Sequence, residues 1–129
     1  PTPPATPPSD DGWVSPFETV VTEGRAFAMR DILVPGKIMV VDYFADWCVP
    51  CKRLERELAG ALAGADDVVV VKVDIVDWDR PAAKAIEGVA GLPVLEIFNG
   101  AGERVARLVG DEAFAFERYL ETLRGDPSD

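Results

Sequence analysis

The two cysteines of the chain stand three residues apart, in the run Trp47-Cys48-Val49-Pro50-Cys51-Lys52. Thiols at this spacing can close a small disulfide and open it again, and a C-x-x-C pair reads as a thiol–disulfide redox centre. An apolar, β-like run, KIMVVDYFAD, precedes them, and a charged helical pattern, KRLERELAGALAG, follows. The junction puts the first thiol at a helix N-terminus. There the unpaired N–H groups and the macrodipole favour the thiolate, which is the nucleophile. Cys48 is therefore the expected attacking thiol. Cys51, one turn further along and more buried, is the expected resolving thiol. In the reducing direction Cys48 attacks a substrate disulfide, and Cys51 then attacks Cys48 to release the reduced substrate.

Composition narrows the alternatives. The chain has no histidine, which excludes Ser-His-Asp and Cys-His catalysis and every histidine-containing metal site. Two thiols cannot make a four-cysteine zinc site within one chain, so no metal is expected. A zinc site shared between chains and a purely structural disulfide stay as alternatives. A bridge closing so short a loop removes little denatured-state entropy, which counts against the second. The net charge of −10, from 13 basic and 23 acidic residues, argues against nucleic acid and against anionic lipid as partners. No apolar stretch approaches the roughly 20 residues of a membrane span. The chain begins with proline, so a signal or anchor could have preceded it.

One acid stands out. Asp42 lies inside the most apolar strand pattern, where burial raises a carboxyl pKa. It is a candidate proton acceptor for Cys51, with a structural acid paired to Lys72 as the alternative.

The elements that must position these residues read as follows. Residues 1–12 are Pro- and Thr-rich and predict a linker that serves as a tether, or a disordered tail. The folded domain is expected over 13–125, with a flexible tail at 126–129. Phe17–Val21 predicts a strand, and Glu23–Leu33 a helix with Thr22 as N-cap. Pro35-Gly36 is a turn. Ile38–Ala45 predicts a buried central strand, Lys52–Ala63 a helix ended by Gly64, and Val68–Ile75 a second buried strand. Arg80–Val89 predicts a short helix capped by Asp79, with Pro81 in its first turn. Pro93–Phe98 and Arg104–Val109 predict a hairpin opened by Asn99-Gly100, and Asp111 caps a last helix to about Arg124. Trp13 and Trp78 read as packing residues. The order is β-α-β-α-β-α-β-β-α, an α/β class with a partly parallel sheet and a C-terminal antiparallel hairpin.

This order, with the C-x-x-C opening the second helix, resembles the thioredoxin fold, a central mixed sheet flanked by helices. The run VVDYFADWCVPCK resembles the thioredoxin active-site segment. Gly91-Leu92-Pro93 falls where thioredoxins carry their cis-proline loop, Lys72 where they carry a buried lysine, and Gly110 where they carry a glycine before the last helix. The stretch DYFADWCVPCK also resembles the C-terminal thioredoxin-like domain of the DsbD transmembrane electron transporters, with Glu55 matching an acid four positions after the second cysteine. Pro50, Phe44 and Arg56 place the sequence between the two groups.

The resemblance implies roles. Asp42 becomes a catalytic acid–base group, with Lys72 either paired to it or packed at the sheet edge with its amine in water. Glu55 becomes a second acid–base candidate, against a solvated helix-face charge. Pro93 is expected to be cis, against an ordinary trans loop proline. Leu92 would offer its backbone to an extended substrate. Trp47, Val49 and Pro50 complete the expected substrate surface, and Pro50 favours the reduced dithiol.

The resemblance also implies a monomeric enzyme that needs no cofactor beyond the redox-active disulfide. Its expected substrates are protein disulfides. Its expected electron donor is a membrane thiol carrier or a thioredoxin reductase. The leading expectation is a protein-disulfide reductase in the periplasm or otherwise outside the cytoplasm. The alternatives are a cytoplasmic thioredoxin and a binding module with an inert disulfide.

Overall fold

The computed structural model describes residues 14–124. The segment 1–12, Trp13 and the tail at 126–129 lie outside the described residues. Five strands form one sheet: β1 (Glu18–Val21), β2 (Ile38–Phe44), β3 (Val68–Asp74), β4 (Val94–Phe98) and β5 (Arg104–Val109), in the order β1-β3-β2-β4-β5. β3 runs parallel to both β1 and β2, whereas β4 is antiparallel to β2 and β5. Two α-helices, α1 (Val49–Leu62) and α2 (Phe116–Arg124), complete the main elements. The α/β class and the parallel-plus-hairpin sheet expected from the sequence are both present.

β2 and β3 are apolar on both faces because they are interior strands covered on both sides. One face of β2 presents Met39, Val41 and Tyr43 to a core closed by Ala82, Ala83 and Ile86. The other presents Val40 to Leu54, Leu58 and Leu62 of α1. Asp42 alternates with Val41 and Tyr43 and so shares the α1 face with Val40. Each large core side chain in these two layers contributes about 1.5–3 kcal/mol by leaving water.

The predicted helix over Glu23–Leu33 is absent. Thr22 begins a turn, with the Arg25 amide donating to its carbonyl at 3.2 Å, and Glu23 and Gly24 take positive φ of 60° and 70°. Gly24 sits where a Cβ would come within 2.6 Å of the Arg80 Cβ. The segment then crosses the sheet irregularly, with a 3-10 turn at Met29–Asp31, and sets Phe27, Met29, Ile32 and Leu33 against the core. Helical spacing of apolar residues reflected this one-sided burial and not a helix.

The predicted helix over Arg80–Val89 is a 3-10 segment, Pro81–Ile86, and Asp79 does not cap it. Gly88, with φ of 93°, follows its end, after about two turns. The last helix also begins differently. A 3-10 segment, Gly110–Ala115, leads into α2, and the side chain that accepts from a backbone amide there is Glu112, from Val109 N at 3.1 Å, not Asp111.

On the face opposite α1 a second buried acid is fully partnered. Glu96 accepts from the Tyr43 hydroxyl at 2.9 Å and from Arg104 and Arg107 at 3.0 and 2.7 Å. Arg107 also donates to the Ala85 carbonyl, tying the hairpin to the 3-10 segment.

Candidate active site

Strand β2 ends at Phe44, and three residues carry the chain to Cys48, whose amide donates to the Ala45 carbonyl at 3.1 Å. Cys48 is the N-cap of α1, with extended backbone, and its Sγ accepts from the Cys51 amide at 3.1 Å. Pro50 lies in the first helical turn, where its missing N–H leaves no bond unmade. The two cysteines are joined, with Cα atoms 5.3 Å apart. Both are buried, Cys51 more deeply than Cys48, while Val49 and Pro50 between them are exposed.

Cys51, Leu54, Glu55 and Leu58 form the buried face of α1, so Glu55 sits one turn below the second cysteine. Glu55 is not a solvated surface charge. Its Oε1 accepts from Lys72 Nζ at 2.6 Å, and both side chains are buried. Nor does Lys72 sit at the sheet edge, because β3 lies between β1 and β2. Its amine lies 4.0 Å from the centre of the Phe44 ring, so the charge is held by Glu55 and an aromatic face.

Asp42 is fully buried, and neither carboxylate oxygen makes a hydrogen bond among the described residues. It is directly opposite Lys72 in the β2–β3 register, yet Lys72 bonds Glu55 instead. Burial pushes the Asp42 carboxyl up to about 7; the Lys72 charge pulls it down and the Glu55 charge adds to the rise.

The Leu92–Pro93 peptide is cis. β4 starts at the next residue, Val94, opposite Tyr43, so Pro93 lies at the same end of the sheet as Phe44 and the cysteine turn. The Pro93 carbonyl accepts from the Gly110 amide at 2.8 Å. Among the described residues no hydrogen bond engages the Leu92 N–H or C=O.

Trp47 is half exposed, and its indole Nε1 donates to the Val76 carbonyl at 2.7 Å. Val76 went unnoticed in the sequence. It holds a φ of 65°, costly for a β-branched residue, while its amide bonds Asp74 Oδ1 at 2.9 Å. An aspartate two residues before a strand-end valine is the local signal for such a turn. Trp78 is not a packing residue, because 43% of its surface is exposed.

Among the described residues no group of three or more Cys, Asp or Glu side chains is placed to hold a metal ion. No described helix is long and apolar enough to cross a membrane.

Comparison with known proteins extends the geometry. A family model described as Thioredoxin matches residues 18–122. Thioredoxin H2-1 of Oryza sativa subsp. japonica is 37% identical over 95 residues, 71% of this chain. The match spans 64% of that relative, just under two thirds of its length. A thioredoxin of Chlamydia caviae is 38% identical over 73 residues, covering 57% of this chain and 69% of the relative. A solved mutant thioredoxin from Halobacterium salinarum superposes with a TM-score of 0.61 at 28% identity, covering 84% of this chain and 92% of the other.

Proposed function

The chain belongs to the thioredoxin family of thiol–disulfide oxidoreductases, and on that premise we propose that it is a reductase of protein disulfides working outside the cytoplasm. The observation that carries the reading is the Cys48–Cys51 pair at the head of α1 above the buried Asp42.

Once the pair is reduced, the Cys48 thiolate attacks one sulfur of a substrate disulfide. The other substrate sulfur leaves with the electron pair and takes a proton. Asp42 accepts the Cys51 proton, and the Cys51 thiolate attacks Cys48 Sγ. The first substrate thiol is released, and the Cys48–Cys51 bond re-forms. Leu92 presents its free backbone groups to the substrate strand, and Pro93 fixes their direction. Lys72 and Glu55 set the charge around Asp42. The sulfurs carry the two electrons, so no other cofactor is needed. In this reading the protein works as a monomer, and every group named comes from one copy.

The likeness of DYFADWCVPCK to the DsbD domain and the Pro-rich segment 1–12 favour a tethered protein fed by a membrane thiol carrier. The similarity to thioredoxins favours a cytoplasmic protein fed by a thioredoxin reductase equally well. Fractionation of cells expressing the native gene separates the two.

Insulin reduction and the reduction potential test the chemistry. The potential should lie near thioredoxin's, about −270 mV, and far from the strong-oxidant value of about −120 mV. Cys48→Ser should abolish turnover, and Cys51→Ser should accumulate mixed disulfides. A potential near the oxidant value would overturn the reductase reading.

A further inference from the structure

We propose that Trp47, Val49 and Trp78, with the carboxylates of Asp46, Asp77 and Asp79 beside them in the chain, form a docking shelf that selects partner segments carrying lysine or arginine next to an apolar residue. The proposal rests on the reductase reading, since it concerns which proteins reach the Cys48–Cys51 pair.

The shelf is apolar where water meets it. Trp47, Val49 and Trp78 are 52%, 70% and 43% exposed, whereas tryptophan is normally well buried. It is also fixed. Trp47 is tied to Val76, and Val76 is held by Asp74. The turn after it is closed by its own bonds: the Trp78 amide donates to Asp77 Oδ1 at 3.1 Å, and the Arg80 amide to the Asp77 carbonyl at 3.2 Å. A platform already in place loses little entropy when a partner lands. The positive φ of Val76 is strain retained at the point that aims Trp47 and leads to Trp78.

The charge around it is negative on balance. Asp46, Asp77 and Asp79 are exposed, and Asp74 is partly so. Two cations lie among them: Lys52 donates to the Asp46 carbonyl, and Arg80, next to Asp79, donates to the Glu23 carbonyl at 3.4 Å, so the carboxylates outnumber the cations. The chain's net charge of −10 adds to the same field. An aromatic surface in a negative field suits a cationic side chain, which can lie on an indole face while the carboxylates steer it in.

Two disulfide-bridged peptides of equal length test this, one with Lys and Arg beside its cysteines and one with Glu. Each reduction rate is divided by the rate for hydroxyethyl disulfide, which is too small to reach the shelf. The basic peptide should be favoured about tenfold at low salt, and less as salt rises. Trp78→Ala should reduce that preference about threefold. Asp77→Asn with Asp79→Asn should reduce it and flatten the salt dependence. Equal normalised rates for the two peptides, or a preference untouched in both variants, would overturn the shelf. Failure of the wild type to reduce insulin would remove the reductase reading itself, and the shelf with it.

Discussion

Lys72 donates to Glu55 at 2.6 Å and makes no hydrogen bond to Asp42, its direct partner across the β2–β3 register. The helix acid has thus taken the cation that the strand acid would otherwise hold. Asp42 stays buried and unbonded, and burial pushes its carboxyl up to about 7.

Glu55→Gln should therefore lower the pH at which Asp42 titrates. The substitution removes a negative neighbour and leaves the Lys72 charge less compensated, and both changes favour the carboxylate. The acid limb of the pH–rate profile for insulin reduction should move down by about one unit. An unmoved limb would mean that Asp42 does not sense the helix acid.

Lys72→Met should act through stability as well. It leaves Glu55 buried without its cation, which costs about 3 kcal/mol. Urea unfolding of the oxidised protein measures it. A loss under about 1 kcal/mol would mean that Glu55 turns to water.

Asp42 should also give stability a pH slope. Its carboxyl is raised from 3.8 to about 7 by burial. Well below the lower value both folded and unfolded states hold the proton. Between the two values only the folded state keeps it, so stability falls as pH rises; above the upper value the loss is complete. The total is on the order of 4 kcal/mol. Urea unfolding of the oxidised protein at pH 4, 6 and 8 should show this decline, and Asp42→Ala should flatten it. Equal slopes would mean that the buried carboxyl ionises freely.

Glu96→Gln should destabilise the fold without touching the thiols. The buried carboxylate joins Tyr43, Arg104 and Arg107, and losing its charge takes the counter-charge from half-buried Arg107 and exposed Arg104. A cost of about 3 kcal/mol is expected from denaturant unfolding, while Tyr43→Phe, which removes one hydrogen bond to a charged acceptor, should cost about 2 kcal/mol.

Gly24→Ala tests the turn that replaced the predicted helix. The added Cβ would meet the Arg80 Cβ at 2.6 Å and the Ile75 carbonyl oxygen at 2.9 Å, at a φ of 70°. A loss of at least about 2 kcal/mol is expected. A neutral substitution would mean that the Glu23–Gly24 turn yields readily.

The sequence by itself determined the redox pair, the strand pattern and the main helix. Cys48 and Cys51 are neighbours in the chain, and strand runs such as VVVVKVD announce burial without any partner being known. It also marked Asp42, because a carboxylate amid valines is anomalous wherever the strand lies. Tertiary structure decided what depended on the opposite side of a contact. The apolar spacing of Glu23–Leu33 could mean helix or one-sided loop, and the structure shows the loop, with positive φ at Glu23 and Gly24 and Gly24 packed against Arg80. From the sequence Lys72 answered either Asp42 or water; the packing of α1 on β3 gave it to Glu55, a partner the pattern did not announce. Trp47 and Trp78 are alike as residue types, and only the structure showed both to be exposed, with Trp47 bonded to the Val76 turn that leads to Trp78. Local pattern encodes burial and backbone preference, whereas ion-pair choice and surface exposure are set by groups distant in the chain.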